Sequence, residues 1–233
     1  MRRETQNVLL LLLGLAVGIM VVKGAYLHYV KPALFPWLVT AAVGLMALAL
    51  ISIVGDIRRG GTDPFAGHRH QGWMVWLLLV PVVLIAFVIP PPIEASGAAP
   101  VSAKQSAKHP FPPLPAGHAP TLSVPEVMMR AATDSAGTLD NRLITVTGFT
   151  LTGDGGPDLG RVVIICCAAD AQLARTHLTG PAAATAASYP EDTWLRIEGT
   201  VIPGSSTAAS SFVPTMNVTS VTKIDRPANT YAY

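Results

Sequence analysis

The chain is short of charge. Only 13% of its residues are Asp, Glu, Lys or Arg, against roughly 25% in an ordinary soluble domain. Nucleic acid is not an expected partner. The net charge is +2 and no run of Lys and Arg exceeds two residues, whereas phosphate backbones call for a basic patch or stripe. Aromatics make up 6% of the chain, and there is no histidine-rich tract. Familiar catalytic fingerprints are missing too. The sequence holds no Gly-x-x-x-x-Gly-Lys loop, Gly-x-Ser-x-Gly elbow, His-Glu-x-x-His pair or dinucleotide-binding glycine pattern, so the chain is not expected to be an enzyme. Cysteine is nearly absent: there are two, and they are adjacent, Cys166 and Cys167.

What the first half does contain is hydrophobic length. Three apolar runs cover residues 8–26, 33–54 and 73–89. About 20 mostly apolar residues are needed to cross a bilayer, so residues 1–89 read as a three-span helical anchor. Arg2 and Arg3 resemble the start of a signal peptide, but no small-x-small cleavage site stands out and two further runs follow. The first run therefore reads as retained. Arg2, Arg3, Arg58, Arg59 and Arg69 fall on one side of the spans and Lys23 and Lys31 on the other. Five against two places the N-terminus inside and everything after residue 89 outside. Tyr26, Tyr29 and Trp37 sit where an outer aromatic belt lies, and Trp73 and Trp76 at the inner entrance of the third run. Gly14 and Gly18 form a Gly-x-x-x-Gly pair, which permits close helix packing. No Asp, Glu or Arg lies within a span, so the anchor has no proton relay or ion path of its own.

Residues 90–122 read as a linker. The stretch 90–125 holds ten of the twenty prolines, a composition that favours polyproline II over a packed core. From residue 123 the pattern changes to a small β-rich domain. Ser123, with Pro125 and Glu126 behind it, reads as a helix start with Val127, Met128 and Ala131 on the buried face. Gly137 is the expected stop. Residues 142–150 and 193–202 alternate like half-buried strands, 161–167 form a short apolar run, and 211–224 end in a further alternating strand. Four or five strands and one helix suggest an OB-like barrel, with a small open sandwich as the second choice. Asp154 and Asp158 flank Gly155-Gly156-Pro157 and read as a turn rather than a calcium site.

Chemistry concentrates at Ile165-Cys166-Cys167-Ala168-Ala169-Asp170-Ala171. Adjacent residues on a strand face opposite ways, so both thiols share a side only if the strand ends or bulges there. Three readings compete. The cysteines are buried small hydrophobes; they form a vicinal disulfide or redox pair; or their thiolates, with Asp170 or His177, bind a soft metal ion. His177 is the domain's only histidine and approaches the pair if the chain folds back. His68 and His70 form an i, i+2 pair without a third ligand, and His28, His109 and His118 are isolated.

The whole chain resembles the bacterial YcgQ-like two-component permease subunits, whose C-terminal part is a domain of unknown function. The resemblance rests on Tyr29-Val30-Lys31-Pro32, His68-Arg69-His70, Val80-Pro81 and Pro90-Pro91-Pro92 in the anchor half. In the other half it rests on Arg161, the Cys166–Ala171 stretch, Asp192-Thr193-Trp194 and Glu198-Gly199. It implies a polytopic permease-like partner in the bacterial inner membrane. Together with an anchor lacking a pathway, this points to an accessory permease subunit, its exported domain binding a solute or gating the partner. The alternative is a membrane-tethered metal-binding or thiol-redox module that acts without a permease. Cys166, Cys167, Asp170 and His177 are the candidate site residues in either case.

Overall fold

A computed structural model of the chain describes residues 3–58, 93–101, 107–153 and 155–232. It divides into two compact units, Met1–Pro92 and Ile93–Tyr233.

In the first unit, helix α1 spans Arg3–Val22 and helix α2 spans Phe35–Arg58. Gly24 adopts the left-handed region (φ 71°) and ends the first helix, and a 3₁₀ turn follows at Ala25–His28. A second 3₁₀ turn, Pro32–Leu34, leads into α2. The two helices pack through small residues. A Cβ on Gly14 would lie 2.9 Å from Met46 Cγ and 3.1 Å from the Ala42 carbonyl, whereas one on Gly18 would meet open space. Of the expected glycine pair, only Gly14 therefore sits at the contact. The segment Pro32–Gly55 has 24 residues and a mean hydropathy of 2.4. At 1.5 Å per residue it is about 36 Å long, enough for a hydrocarbon core of about 30 Å. Trp37, Leu48 and Ile51 lie exposed along it, a surface suited to lipid.

The three-span anchor is corrected by these lengths. Among the described residues, one helix is long and apolar enough to cross a membrane. The apolar part of α1, Gln6–Val22, is too short, because the run that looks continuous to residue 26 breaks at Gly24. The third run, 73–89, lies outside the described residues, as do His68 and His70.

The second unit is built on one sheet of eight strands. These are β1 (Ala99–Pro100), β2 (Thr121–Leu122), β3 (Leu143–Gly153), β4 (Gly156–Val163), β5 (Gln172–Thr179), β6 (Trp194–Val201), β7 (Thr215–Lys223) and β8 (Tyr231–Ala232). The hydrogen-bonded order is β1-β5-β7-β6-β3-β4-β8; β2 pairs with β3, and β4 also pairs with β5. Helix α3 (Val124–Thr133) precedes β3, and the short helix α4 (Ala183–Ala187) lies between β5 and β6. Ser123 caps α3 by accepting from the Glu126 N–H at 3.3 Å. The expected OB-like barrel of four or five strands with one helix is thus replaced by an eight-stranded sheet with two helices. Three of the added strands are only two residues long, too short to leave a periodicity in the sequence.

Two apolar clusters hold this unit. Val124 and Val127 of α3 pack with Ile144, Val146, Leu178, Leu195, Ile197 and Met216. The second cluster gathers Phe149, Val162, Ile164, Ala171, Trp194 and Tyr231. Phe149 and Trp194 meet edge to face at 5.6 Å, and the Arg161 guanidinium lies 4.7 Å from the Trp194 ring centroid. Ile164 and Ala171 bracket the cysteine loop, so this cluster anchors both of its ends. Much of the proline-rich stretch belongs to the same unit. The Ile93 N–H donates to Tyr231 Oη at 2.7 Å, β1 pairs with β5, and Leu122 is buried. The Pro112 carbonyl accepts from buried Arg130 at 2.9 Å. Proline lacks an N–H, but its carbonyl remains a full acceptor.

Candidate metal centre

The site forms where β4 stops. The apolar run 161–167 reads as a strand through both cysteines, but β4 ends at Val163. Ile164 is fully buried, and Ile165 turns out to solvent. Cys166 is exposed and Cys167 half-buried. The break comes before the cysteines, not after them.

Asp170 causes the turn. Its Oδ1 accepts the Ile165 N–H at 2.8 Å, and its Oδ2 accepts the N–H groups of Cys166 at 2.8 Å and Cys167 at 3.2 Å. Three consecutive amides converging on one carboxylate cannot stay in a sheet ladder. Cys167 in turn caps the 3₁₀ turn Ala168–Asp170, its side chain accepting from the Asp170 N–H. The loop is a reciprocal box closed by a thiol at one end and a carboxylate at the other. Freed from strand alternation, both sulfurs come to one side. A sulfur from each cysteine and a carboxylate oxygen of Asp170 all lie within 4.8 Å of one another.

The electrostatics follow from this packing. The hydrogen bond from the Cys166 thiol to the Asp170 carboxylate, then the contact with Cys167, pushes the Cys166 pKa up to about 11. The same bond, with the three amides, holds Asp170 down at about 2. A proton retained on sulfur makes Cys166 a poor nucleophile. A cation bound here would take the place of that proton and would have Cys166, Cys167 and Asp170 as its donors. Thiolates select soft and borderline ions, and three donors leave a coordination position open. The Cys166, Cys167 and Asp170 cluster can coordinate a soft metal ion.

His177 is not part of this cluster. The register pairs Asp158 on β4 with His177 on β5, and His177 Nδ1 lies 2.8 Å from Asp158 Oδ1. Arg175 approaches the other oxygen of Asp158 at 3.7 Å. His177 stands five residues along β5 from Gln172, on the order of 17 Å at strand rise, so folding back does not bring it to the cysteines. Asp158, read as a turn residue, is instead a buried strand residue. The amide of Ile165 is the site component that sequence reading missed, since a backbone donor leaves no residue-type signal. His28, His109 and His118 do not join the cluster.

Residues 127–233, just under half of the chain, match the family model described as the DUF1980 C-terminal domain. The match contains the whole Cys166–Asp170 loop. No curated protein and no solved structure matches the chain.

The accessory-permease-subunit expectation is corrected by the site. The chemistry that the described residues assemble is a converging pair of thiols and a carboxylate, which fits a metal or redox module better than a solute-binding or gating domain. The helix Pro32–Gly55 is consistent with membrane association.

Proposed function

We propose that this chain is a membrane-tethered module that binds a soft metal ion through Cys166 and Cys167, with Asp170 as the third donor, and that it acts without a permease. The observation that carries the reading is the gathering of the three donor atoms within 4.8 Å at an accessible loop. An open coordination position on an exposed loop suits an ion that is taken up and released, whereas structural zinc sites are closed by four ligands. Binding rather than turnover is part of the proposal, because the Cys166 thiol keeps its proton. So is the membrane tether: Pro32–Gly55 crosses the bilayer as one helix. The bilayer is then the partner of α2. Kinship with the YcgQ-like proteins belongs to the same proposal and rests on the sequence stretches quoted above.

The test is metal content. The full chain, purified reduced in mild detergent and loaded with Zn²⁺, Cd²⁺ or Cu⁺ separately, is desalted and its bound metal counted. At least one of these ions should remain at one per chain, and Cys166→Ser and Cys167→Ser should each lose it while remaining folded. Retention by both variants would overturn the assignment.

A further inference from the structure

The two sulfurs that form the metal site are adjacent in sequence and share one side of the loop. We propose that they also close a vicinal disulfide, and that this bond switches the metal site off. The proposal rests on the metal-binding reading above and adds its regulation.

Three observations carry it. The sulfurs lie within 4.8 Å of each other, so rotation about the side-chain bonds and a modest backbone adjustment bring them together. Cys166 is exposed and open to an oxidant. The peptide that must twist is the one joining the cysteines. Its N–H, that of Cys167, makes the longest of the three bonds to Asp170, 3.2 Å against 2.8 Å for the other two. The anchoring is therefore loosest where movement is required. Adjacent Cα atoms are about 3.8 Å apart across a trans peptide, below the usual disulfide range of about 4.4–6.8 Å. Such a bond is strained, and strained, exposed disulfides are the easily reduced, regulatory kind. A structural staple would be placed otherwise.

The exchange balances with a disulfide as oxidant. The thiolate fraction of Cys166, small because its proton is held but exposed to the oxidant, attacks one sulfur of the oxidant slowly, forming a mixed disulfide and releasing one thiol. Cys167 Sγ then attacks the Cys166 sulfur, forming the Cys166–Cys167 bond and releasing the second thiol. The two protons of the cysteines end on the released thiols, and two electrons pass to the oxidant. Both sulfur donors are consumed as thiolates, so the ion leaves or cannot enter.

The experiment uses the full chain in detergent, poised in mixtures of reduced and oxidised glutathione. Each sample is split. One half is alkylated and its cysteine peptide weighed; the other is titrated with Cd²⁺. The expected result is a peptide lighter by two hydrogens, unalkylated and free of glutathione. It should be accompanied by a loss of Cd²⁺ affinity of about a hundredfold or more, beyond the cost of disturbing an outer-shell group, and a reductant should restore both. Cys167→Ser should stop at the glutathione adduct on Cys166. Persistent adducts in the unsubstituted chain, thiols that stay alkylatable in the most oxidising mixture, or unchanged Cd²⁺ affinity after closure would each overturn the switch. A reduced chain that closes the disulfide but never binds Cd²⁺, Zn²⁺ or Cu⁺ would overturn the metal reading and the switch with it, leaving only a redox pair.

Discussion

Asp170 does two jobs with one carboxylate: it gathers three amides and it holds the proton of Cys166. Replacing it by Asn keeps one acceptor oxygen and the shape but removes the charge. The Cys166 pKa should then fall from about 11 toward its ordinary 9.0. Two units is about a hundredfold in thiolate population. Alkylation of Cys166 by iodoacetamide at pH 8 should therefore speed up by up to about that factor in Asp170→Asn, and an unchanged rate would show that the carboxylate does not hold the proton. The same raised pKa sets the pH dependence of metal binding. Below pH 11 the folded site must release the Cys166 proton to take an ion, so affinity should rise by about tenfold per pH unit between pH 6 and 8 for that proton alone. Asp170, depressed to about 2, stabilises the fold fully above about pH 4 and ceases to as pH falls to 2. Cys166, raised to about 11, stabilises it below about pH 9 and ceases to as pH climbs to 11. Cys166, Cys167 and Asp170 were legible because thiols and a carboxylate at short spacing are chemical residues in a chain poor in both. His177 was misplaced because its partner is set by strand register, Asp158 opposite His177, and register is a long-range property that residue types alone do not encode.

At the scale of elements, the sheet depends on close backbone approach. Gly148 on β3 lies against the Gly160 carbonyl and Leu159 of β4. A methyl there meets backbone, which cannot swing aside. Gly148→Ala should cost about 2 kcal/mol or more of stability by overpacking, read as a lower denaturant midpoint of the full chain; a change under about 0.5 kcal/mol would mean that the strands are not so closely apposed. Strand positions were largely visible in apolar alternation, and the start of α3 in its Ser123 cap. What stayed hidden were the ends, the short pieces and the whole of β5, Gln172–Thr179, where the sequence reading named no strand. The end of β4 at Val163 is decided by Asp170, seven residues on, capturing the amides that would have continued it. The two-residue strands in and beyond the proline-rich stretch are held by backbone bonds such as Val101 N–H to the Leu173 carbonyl, 3.1 Å, and composition pointed the other way.

For the whole molecule the question is whether Pro32–Gly55 tethers the chain to a membrane. Pro32–Gly55 is long and apolar enough to cross, and only 11% of its most apolar window is buried within the protein. Expressed in bacteria, the chain should sediment with membranes and stay there in alkaline carbonate, which strips peripheral proteins. Release into the carbonate supernatant would refute a spanning helix. A membrane-impermeant maleimide reads the side: labelling of Cys166 once the outer membrane is opened puts the domain outside, and protection until the inner membrane is lysed puts it inside. Among the described residues, hydrophobic length was legible in the sequence but the count of helices long enough to span was not, because a left-handed glycine inside an apolar run, Gly24, divides it without changing its hydropathy.

The central claim is that Cys166 and Cys167 hold one ion together. Titrating the reduced full chain with Cd²⁺ while following the ultraviolet sulfur-to-metal charge-transfer band tests it most directly. The expected band saturates at one ion per chain and collapses in both Cys166→Ser and Cys167→Ser. No band, or a band that survives the loss of either sulfur, would contradict it.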